Sequence, residues 1–339
     1  MFMSRPFFRR SLLFIAVSTM SLVSLGGAGR AVEKSFAIAR LDVTVWQPDE
    51  VAPVARPIVV FSHGFHGCAT QSRFLMTALA AAGYLVVAPN HRDATCNGGS
   101  ARWIDRPEWR FGKPETWDET SFRDRADDII RLVAALKAEP EWRSLIDWQH
   151  FGLIGHSLGG YTVLGLGGAW PSWKLEGVKA VLALSPYVQP FLVRRTLAGL
   201  DAPVMYQGGT LDFGITPALQ KPMGAYDLSP RPKYYVELKG AGHFAWTDLR
   251  HTFHHPIVTY SLAFLDQYVR GSAAATQLTD ATSDVAIFRY DPGAQQDRTA
   301  ETEVESGTGK LRRGSHIQIR GSKCRSQQYH SIGVEQSKT

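Results

Sequence analysis

The feature that most constrains this chain is the pentapeptide Gly155-His156-Ser157-Leu158-Gly159, which follows an apolar run at residues 150–154. The run predicts a buried strand, and the residues from 159 to 169 predict a helix. A serine between a strand and a helix lies in a tight turn that lifts its hydroxyl clear of the backbone, and the flanking glycines leave room for that turn. The first amides of the helix and its positive dipole end point toward the hydroxyl. Ser157 is therefore the candidate nucleophile.

A serine hydroxyl needs a base to take its proton, and the base needs an acid to orient its ring. Residues 202–207 predict a buried strand, and Asp212 follows it on a loop. Residues 233–238 predict another strand, and His243 follows it behind two glycines. The chain order Ser, Asp, His, with each residue past a different strand, is the order of the α/β-hydrolases. Asp93, which also follows a predicted strand, is the alternative acid.

The developing negative charge of an ester intermediate needs hydrogen-bond donors. Residues 57–61 are apolar and β-branched, which predicts a buried strand, and Ser62-His63-Gly64-Phe65-His66-Gly67 follows it. In this arrangement one donor is a backbone amide of that loop, which we assign to Phe65. The other is the amide of Leu158, directly after the nucleophile.

These motifs, together with Ala88-Pro89-Asn90-His91-Arg92-Asp93 and Gly242-His243-Phe244, resemble the platelet-activating-factor acetylhydrolase and bacterial "predicted dienelactone hydrolase" branch of the α/β-hydrolases. They are also similar to those of the bacterial polyester hydrolases and cutinase-like lipases. The resemblance covers roughly residues 39–270. It implies ester hydrolysis without metal or organic cofactor, with a catalytic triad at Ser157, Asp212 and His243.

The chain departs from that pattern in two places. True dienelactone hydrolases use a cysteine nucleophile, whereas this chain has Ser157, which argues against their substrate. The acetylhydrolases carry their acid one strand earlier, where this chain reads Leu182-Ala183-Leu184-Ser185. Since no carboxylate stands there, Asp212 is the better match for the acid, as in the polyester hydrolases.

Strands that alternate with helices predict an α/β fold with a mostly parallel central sheet and helices on both faces. Residues 1–31 carry arginines, then a short apolar core, then small residues, which predicts a secretory signal peptide; an uncleaved anchor is the alternative. We expect residues 32–290 to form the hydrolase domain, with 285–288 as a final strand or a surface segment. Residues 291–339 lack apolar periodicity, so we expect a disordered tail.

The net charge of +6 comes from the two ends, because residues 32–290 contain equal numbers of basic and acidic side chains. A neutral body gives no electrostatic footprint for nucleic acid. The cysteines form no C-x-x-C pair, and His251, His254 and His255 lack a carboxylate pattern, so we expect no metal site. Cys68 and Cys96 follow neighbouring strands and are either bridged or free.

The loop between residues 96 and 121 is rich in aromatics, which either roof a substrate pocket or anchor the loop: Trp103, Trp109, Phe111 and Trp117. Tyr187, Phe244 and Trp246 are further candidates for the pocket lining. The sequence thus predicts a secreted or periplasmic serine hydrolase that cleaves small or lipid-like carboxylic esters. The alternatives are an acyltransferase with the same triad and a non-catalytic hydrolase-like binding protein.

Overall fold

A computed structural model describes residues 29–49, 54–96 and 111–293. Nearly all of the predicted signal peptide and tail, and Trp103 and Trp109 of the aromatic loop, lie outside these residues. Within the described ranges, no helix has the length and apolar character needed to cross a membrane.

A nine-stranded sheet forms the centre of the described chain, in the order β1-β2-β4-β3-β5-β6-β7-β8-β9. Strands β3 to β8 run parallel to one another, whereas β1, β2 and β9 pair antiparallel to their neighbours. The predicted mostly parallel α/β fold is therefore confirmed. The strand bounds are β1 Ala31–Ile38, β2 Leu41–Pro48, β3 Arg56–Ser62, β4 Leu85–Pro89, β5 Ile146–His156, β6 Val178–Leu184, β7 Val204–Gly209, β8 Lys233–Leu238 and β9 Val285–Asp291.

Helices cover both faces of this sheet. Their bounds are α1 Arg73–Ala81, α2 Arg123–Ala138, α3 Pro140–Leu145, α4 Leu158–Leu164, α5 Gln189–Arg194, α6 Thr216–Gln220, α7 Ala225–Leu228 and α8 His254–Tyr268. Helix α4 continues as a π-helical segment, Gly165–Ala169. Short 3-10 helices lie at Pro114–Thr116, Pro171–Trp173, Leu197–Gly199, His243–Trp246, His251–Phe253 and Thr276–Leu278.

The core has two halves because successive side chains of a strand point to opposite faces of the sheet. In β3, Ile58 and Val60 lie in the half that includes α2 and α4, whereas Val59 and Phe61 lie in the half that includes α1 and α8. All four side chains are fully buried. A strand covered on both faces has a continuous apolar run, and such a run at residues 57–61 is why the sequence predicts β3.

The carboxyl ends of the parallel strands meet at one edge of the sheet. Ser62 of β3 is in register with Gly155 of β5, His156 of β5 with Leu184 of β6, and Gly209 of β7 with Leu238 of β8. The loops that follow these strands therefore emerge side by side, which is where ligands bind in open α/β sheets.

Candidate active site

The turn between β5 and α4 holds Ser157 in a conformation that is rare for a non-glycine residue, with φ 55° and ψ −117°. Backbone crowding makes the glycines of this turn necessary. A Cβ on Gly155 would overlap the backbone of Gly159, and a Cβ on Gly159 would overlap the carbonyl of Ser62. The Ser157 amide donates to the Leu184 carbonyl at 3.0 Å, which fixes the turn on the neighbouring strand.

The structure brings Ser157, His243 and Asp212 together from three separate loops. Nε2 of His243 lies 2.9 Å from Oγ of Ser157, and Nδ1 lies 3.2 Å from Oδ2 of Asp212. Asp212 is buried, with 3% of its side chain exposed, whereas His243 is 28% exposed. A buried acid beside a partly open imidazole can orient the ring while the ring meets substrate. The sequence predicted each of these three positions.

Ser185, directly after β6, is a polar neighbour that the sequence analysis did not assign to the site. Its buried hydroxyl donates to Oδ2 of Asp212, and its oxygen lies 2.9 Å from Nδ1 of His243. Like Ser157, it has a positive φ, at 42°. Its amide donates to the Gln207 carbonyl at 2.7 Å. This hydrogen bond fixes the backbone from which the hydroxyl projects.

The proposed donor Phe65 lies on a loop in which the backbone amides on both sides of it donate hydrogen bonds to side chains. The Gly64 amide donates to Oε1 of Gln71 at 2.9 Å, and the His66 amide donates to Oδ2 of Asp93 at 3.1 Å. The second proposed donor, Leu158, is the first residue of α4, where backbone amides have no intrahelical acceptor. Phe65 lines the same cavity as Ser157, and Leu158 follows Ser157 directly in the chain.

Asp93 is engaged by Arg125 of α2 rather than by the candidate base. Nη1 of Arg125 donates to Oδ2 of Asp93 at 2.8 Å, and Nη2 donates to the carbonyl of His63. Both side chains are fully buried. Burial opposes ionisation of Asp93, but the Arg125 guanidinium, acting together with the His66 amide and other nearby groups, lowers the pKa of this carboxyl. The pair therefore stays charged and holds the loop of Phe65 to α2.

His156 links the two sides of the site through a continuous set of hydrogen bonds. Nε2 of Gln71 donates to Nδ1 of His156 at 2.9 Å, and Nε2 of His156 donates to the carbonyl of His243 at 3.0 Å. Burial, aided by the nearby His243 charge, lowers the pKa of His156 to about 3, so the ring is neutral and has one tautomer. Because Gln71 also binds Gly64, the loop of Phe65 and the loop of His243 share one support.

His63 orders the loop of Phe65 through two hydrogen bonds. Its Nδ1 donates to the Gly64 carbonyl at 2.7 Å, and its Nε2 accepts from the His91 amide at 3.0 Å. Burial, together with the Arg125 charge, lowers the pKa of His63, which keeps the ring neutral. The His91 ring in turn bridges Ser62 and Asp128.

A cavity of about 1170 Å³ opens around Ser157 and His243. Of the candidate lining residues, Phe111, Tyr187 and Phe244 contribute to its wall, whereas Trp246 is fully buried in the core. Trp117 is also buried and packs against Tyr187, so of the two described aromatics of the loop one lines the cavity and one anchors the loop. The remaining apolar wall includes Phe65, Leu211, Phe213, Ile215 and Leu249.

Cys68 and Cys96 form a disulfide, with their Cα atoms 5.9 Å apart. It links the loop of Phe65 to the segment that follows β4. The hydroxyl of Thr95 adds a hydrogen bond to the carbonyl of His66 at 3.1 Å. Of the two states that the sequence left open, the structure has the bridged one.

His251 lies in the 3-10 helix before α8, and His254 and His255 are the first residues of α8. No group of potential metal ligands occurs among the described residues. The ring of His254 instead stacks on Phe74 with its centroid 3.5 Å away.

Sequence reasoning missed Ser185, Gln71 and Arg125, which contact or support the candidate site. Ser185 could have been found from its place after β6, at the same edge as the other strand ends. Gln71 and Arg125 carry no such local signal, because their partners lie 85 and 32 residues away in the chain.

Comparisons with known proteins identify similar chains. The family model Hydrolase_4, described as "Serine aminopeptidase, S33", matches residues 53–205, which include Ser157 but end before Asp212. Cutinase est2 of Thermobifida alba is 24% identical over 238 residues, 68% of this chain and 68% of that protein. Cutinase 2 of Thermobifida cellulosilytica is 31% identical over 170 residues, 48% of this chain and 60% of that protein. Cutinase cut1 of Thermobifida fusca is also 31% identical over 170 residues, which span 49% of its length.

Proposed function

This chain belongs to the α/β-hydrolase superfamily, and we propose that it is an exported serine hydrolase that cleaves carboxylic esters through Ser157, His243 and Asp212. The family match and the similarity to cutinases support a carboxylic-ester hydrolase. The observation that carries the mechanism is the 2.9 Å contact between Nε2 of His243 and Oγ of Ser157.

The proposed reaction is a two-step acyl transfer. Nε2 of His243 accepts the proton of Ser157 as Oγ attacks the ester carbonyl, and the Asp212 carboxylate stabilises the imidazolium through Nδ1–H. The amides of Phe65 and Leu158 hold the oxyanion. The tetrahedral intermediate then breaks its bond to the alkoxide, which takes the proton from His243 and leaves as an alcohol, while the acyl group stays bonded to Oγ of Ser157. Water, deprotonated by the same ring, releases the acid and restores the serine.

The nucleophile is tested by replacing Ser157 with alanine. Ser157→Ala should abolish hydrolysis of p-nitrophenyl esters and labelling by an organophosphonate while the melting temperature stays near that of the wild type. Ser229→Ala is the matched control, because it also removes a serine hydroxyl, but a buried one that hydrogen-bonds Tyr206 instead of the site. A Ser157→Ala protein with wild-type turnover would refute the mechanism.

The same machinery could pass the acyl group to an alcohol instead of water. The products of p-nitrophenyl ester turnover in the presence of added alcohol distinguish the two. We expect free acid to be the main product, and predominance of the new ester would make the enzyme an acyltransferase.

The cavity supports a preference for neutral, apolar esters. No lysine or arginine is among the described residues that line it, whereas the carboxylates of Asp212 and Asp248 are. A substrate carboxylate close to the scissile bond would meet like charge and would find no cationic partner there. A neutral ester should therefore have a higher kcat/KM than the same ester with a carboxylate on its acyl chain, and an equal or reversed ratio would contradict this preference.

Export is proposed from the amino-terminal sequence, and the Cys68–Cys96 disulfide supports it because such bonds persist in oxidising compartments. Fractionation of the native host should locate the protein in the periplasm or the medium. Retention of the full-length chain in the cytosol would contradict export.

A further inference from the structure

We propose that Ser185 is a positioning residue that holds both Asp212 and the ring of His243, so that the proton relay has four side chains rather than three. The inference rests on the proposed function, since it concerns how the candidate base is oriented.

The chemistry of the groups fixes the directions of the hydrogen bonds around Ser185. An ionised carboxylate only accepts, so the Ser185 hydroxyl must donate to Oδ2 of Asp212. The Ser185 oxygen then keeps its lone pairs for a donor, and Nδ1 of His243 lies 2.9 Å away. When Nε2 accepts the proton of Ser157, Nδ1 must carry a hydrogen.

The distances indicate that the Nδ1–H of His243 donates a hydrogen bond to Ser185 as well as to Asp212. Nδ1 of His243 lies closer to Oγ of Ser185, at 2.9 Å, than to Oδ2 of Asp212, at 3.2 Å. The Nδ1–H is thus shared between a hydroxyl and a carboxylate that are themselves hydrogen-bonded. As positive charge develops on the ring, both oxygens stabilise it.

The backbone conformation at Ser185 supports a positioning part for this residue. A φ of 42° is unusual for serine, and the residue is completely buried at the end of β6. Strained conformations of this kind persist where the surroundings enforce them, and they concentrate at functional sites. The amide of Ser185 donates to the Gln207 carbonyl at 2.7 Å, on the strand that leads to Asp212.

The first test removes the hydroxyl in two ways. Ser185→Ala keeps the demand for a positive φ, whereas Ser185→Gly relieves it. Both variants should lower kcat for p-nitrophenyl esters about 10- to 100-fold, the kinetic equivalent of one charge-assisted hydrogen bond, with KM nearly unchanged. Ser229→Ala, which also removes a buried serine hydroxyl, should keep the wild-type kcat. If both Ser185 variants keep kcat within twofold of the wild type, the proposal is overturned.

The second test moves the acid. In the variant Ser185→Asp/Asp212→Ser, a carboxylate at position 185 would accept the hydrogen bond of Nδ1 in place of Asp212, and aspartate tolerates a positive φ better than most residues. This exchange should raise kcat at least tenfold above Asp212→Ser alone. No gain over that single variant would mean that position 185 does not reach the ring productively and would overturn the proposal.

The two inferences fail separately. An active Ser157→Ala protein would remove the proposed function itself. An inactive Ser157→Ala protein beside fully active Ser185→Ala and Ser185→Gly proteins would leave that function intact and remove only the part given to Ser185.

Discussion

Asp93 and Asp212 are both carboxylates that follow the end of a strand. Their hydrogen-bond partners are what distinguish a supporting residue from the candidate catalytic acid. Asp93 is paired with Arg125 and accepts from the amide of His66. Asp212 contacts Nδ1 of His243 and has no arginine or lysine among its hydrogen-bond partners in the described chain. A carboxylate already neutralised by a guanidinium is poorly suited to stabilise an imidazolium, so the contacts favour Asp212 as the acid.

Replacing Asp212 with asparagine should therefore lower kcat by about 10⁴-fold, since the amide cannot stabilise the imidazolium and favours the wrong tautomer. Ester turnover and the rate of organophosphonate labelling measure the loss. The exposed Asp284 provides the control Asp284→Asn, which should behave as the wild type. A kcat within tenfold of the wild type for Asp212→Asn would place the acid elsewhere.

His156 couples the site to acid stability because it is buried in its neutral form. Burial lowers its pKa from 6.5 to about 3, so between these pH values the unfolded chain binds a proton that the folded chain does not. The free energy of unfolding must then fall as the pH falls through this window. From pH 6.5 to about pH 5, the expected loss from this residue is about 2 kcal/mol.

Urea unfolding at a series of pH values measures that loss. His156→Gln should be less stable at neutral pH, since the chain through Gln71 is altered, but its stability should depend less steeply on pH between 6.5 and about 5. His251→Gln, at an exposed histidine, is the control and should keep the wild-type slope. An unchanged slope in His156→Gln would show that His156 is not the group responsible.

At the scale of elements, helix α2 supports the loop of Phe65 through the buried ion pair of Arg125 and Asp93. Arg125 reaches both the Asp93 carboxylate and the His63 carbonyl, and Asp93 holds the His66 amide. Apolar residues at helical spacing predict an amphipathic helix over residues 121–138, but this pattern does not indicate that Arg125 is buried. The reason is a tertiary contact 32 residues away, which no local pattern contains.

A double-mutant cycle tests this support. Removing either partner leaves an unpaired buried charge, so Arg125→Met and Asp93→Leu should each lower the free energy of unfolding by about 3–5 kcal/mol. The double variant should recover most of that loss because no charge is stranded, but its kcat should stay low because the His66 amide lacks its acceptor. Urea unfolding and ester kinetics on the same four proteins provide both readouts. Additive losses of stability, or a normal kcat in the double variant, would contradict the support.

Prediction from the sequence succeeded for elements with an uninterrupted apolar pattern and failed at the edge of the sheet. The mostly apolar residues 178–184 predict a buried strand, and β6 has these bounds. The sequence did not predict β1, because most of its side chains are exposed and, among the described strands, it pairs with β2 alone, so no burial pattern marks it. The ambiguous residues 285–288 belong to β9, antiparallel to β8.

At the scale of the whole molecule, the candidate site is a consequence of the parallel sheet. Order along the chain predicted Ser157, Asp212 and His243, because each follows a strand whose end falls at the same edge. The same rule also covers Ser185, which follows β6. What the sequence does not contain is the contact of its hydroxyl with Asp212 and His243. The sequence could thus predict which loops meet, while the contacts among them required the three-dimensional arrangement.

The Cys68–Cys96 bridge is the one covalent link between loops at that edge, among the residues the structure describes. It closes a loop with a sequence separation of 28 and constrains the unfolded chain accordingly. On the chain-entropy estimate, a loop of this length stabilises the fold by about 3–4 kcal/mol. Because Cys68 also lines the cavity, we expect loss of the bridge to change both the stability of the fold and the shape of the site.

The variant Cys68→Ser/Cys96→Ser should therefore melt about 5 to 15 °C lower than the wild type and hydrolyse esters with a reduced kcat, since the loop of Phe65 gains freedom. Calorimetry and ester kinetics with and without a reductant measure both effects. Cys324→Ser, at the remaining cysteine, is the control and should match the wild type. The reductant should reproduce the double variant's losses in the wild type and leave the double variant itself unchanged. If the double variant melts and turns over as the wild type does, the bridge contributes to neither stability nor site geometry.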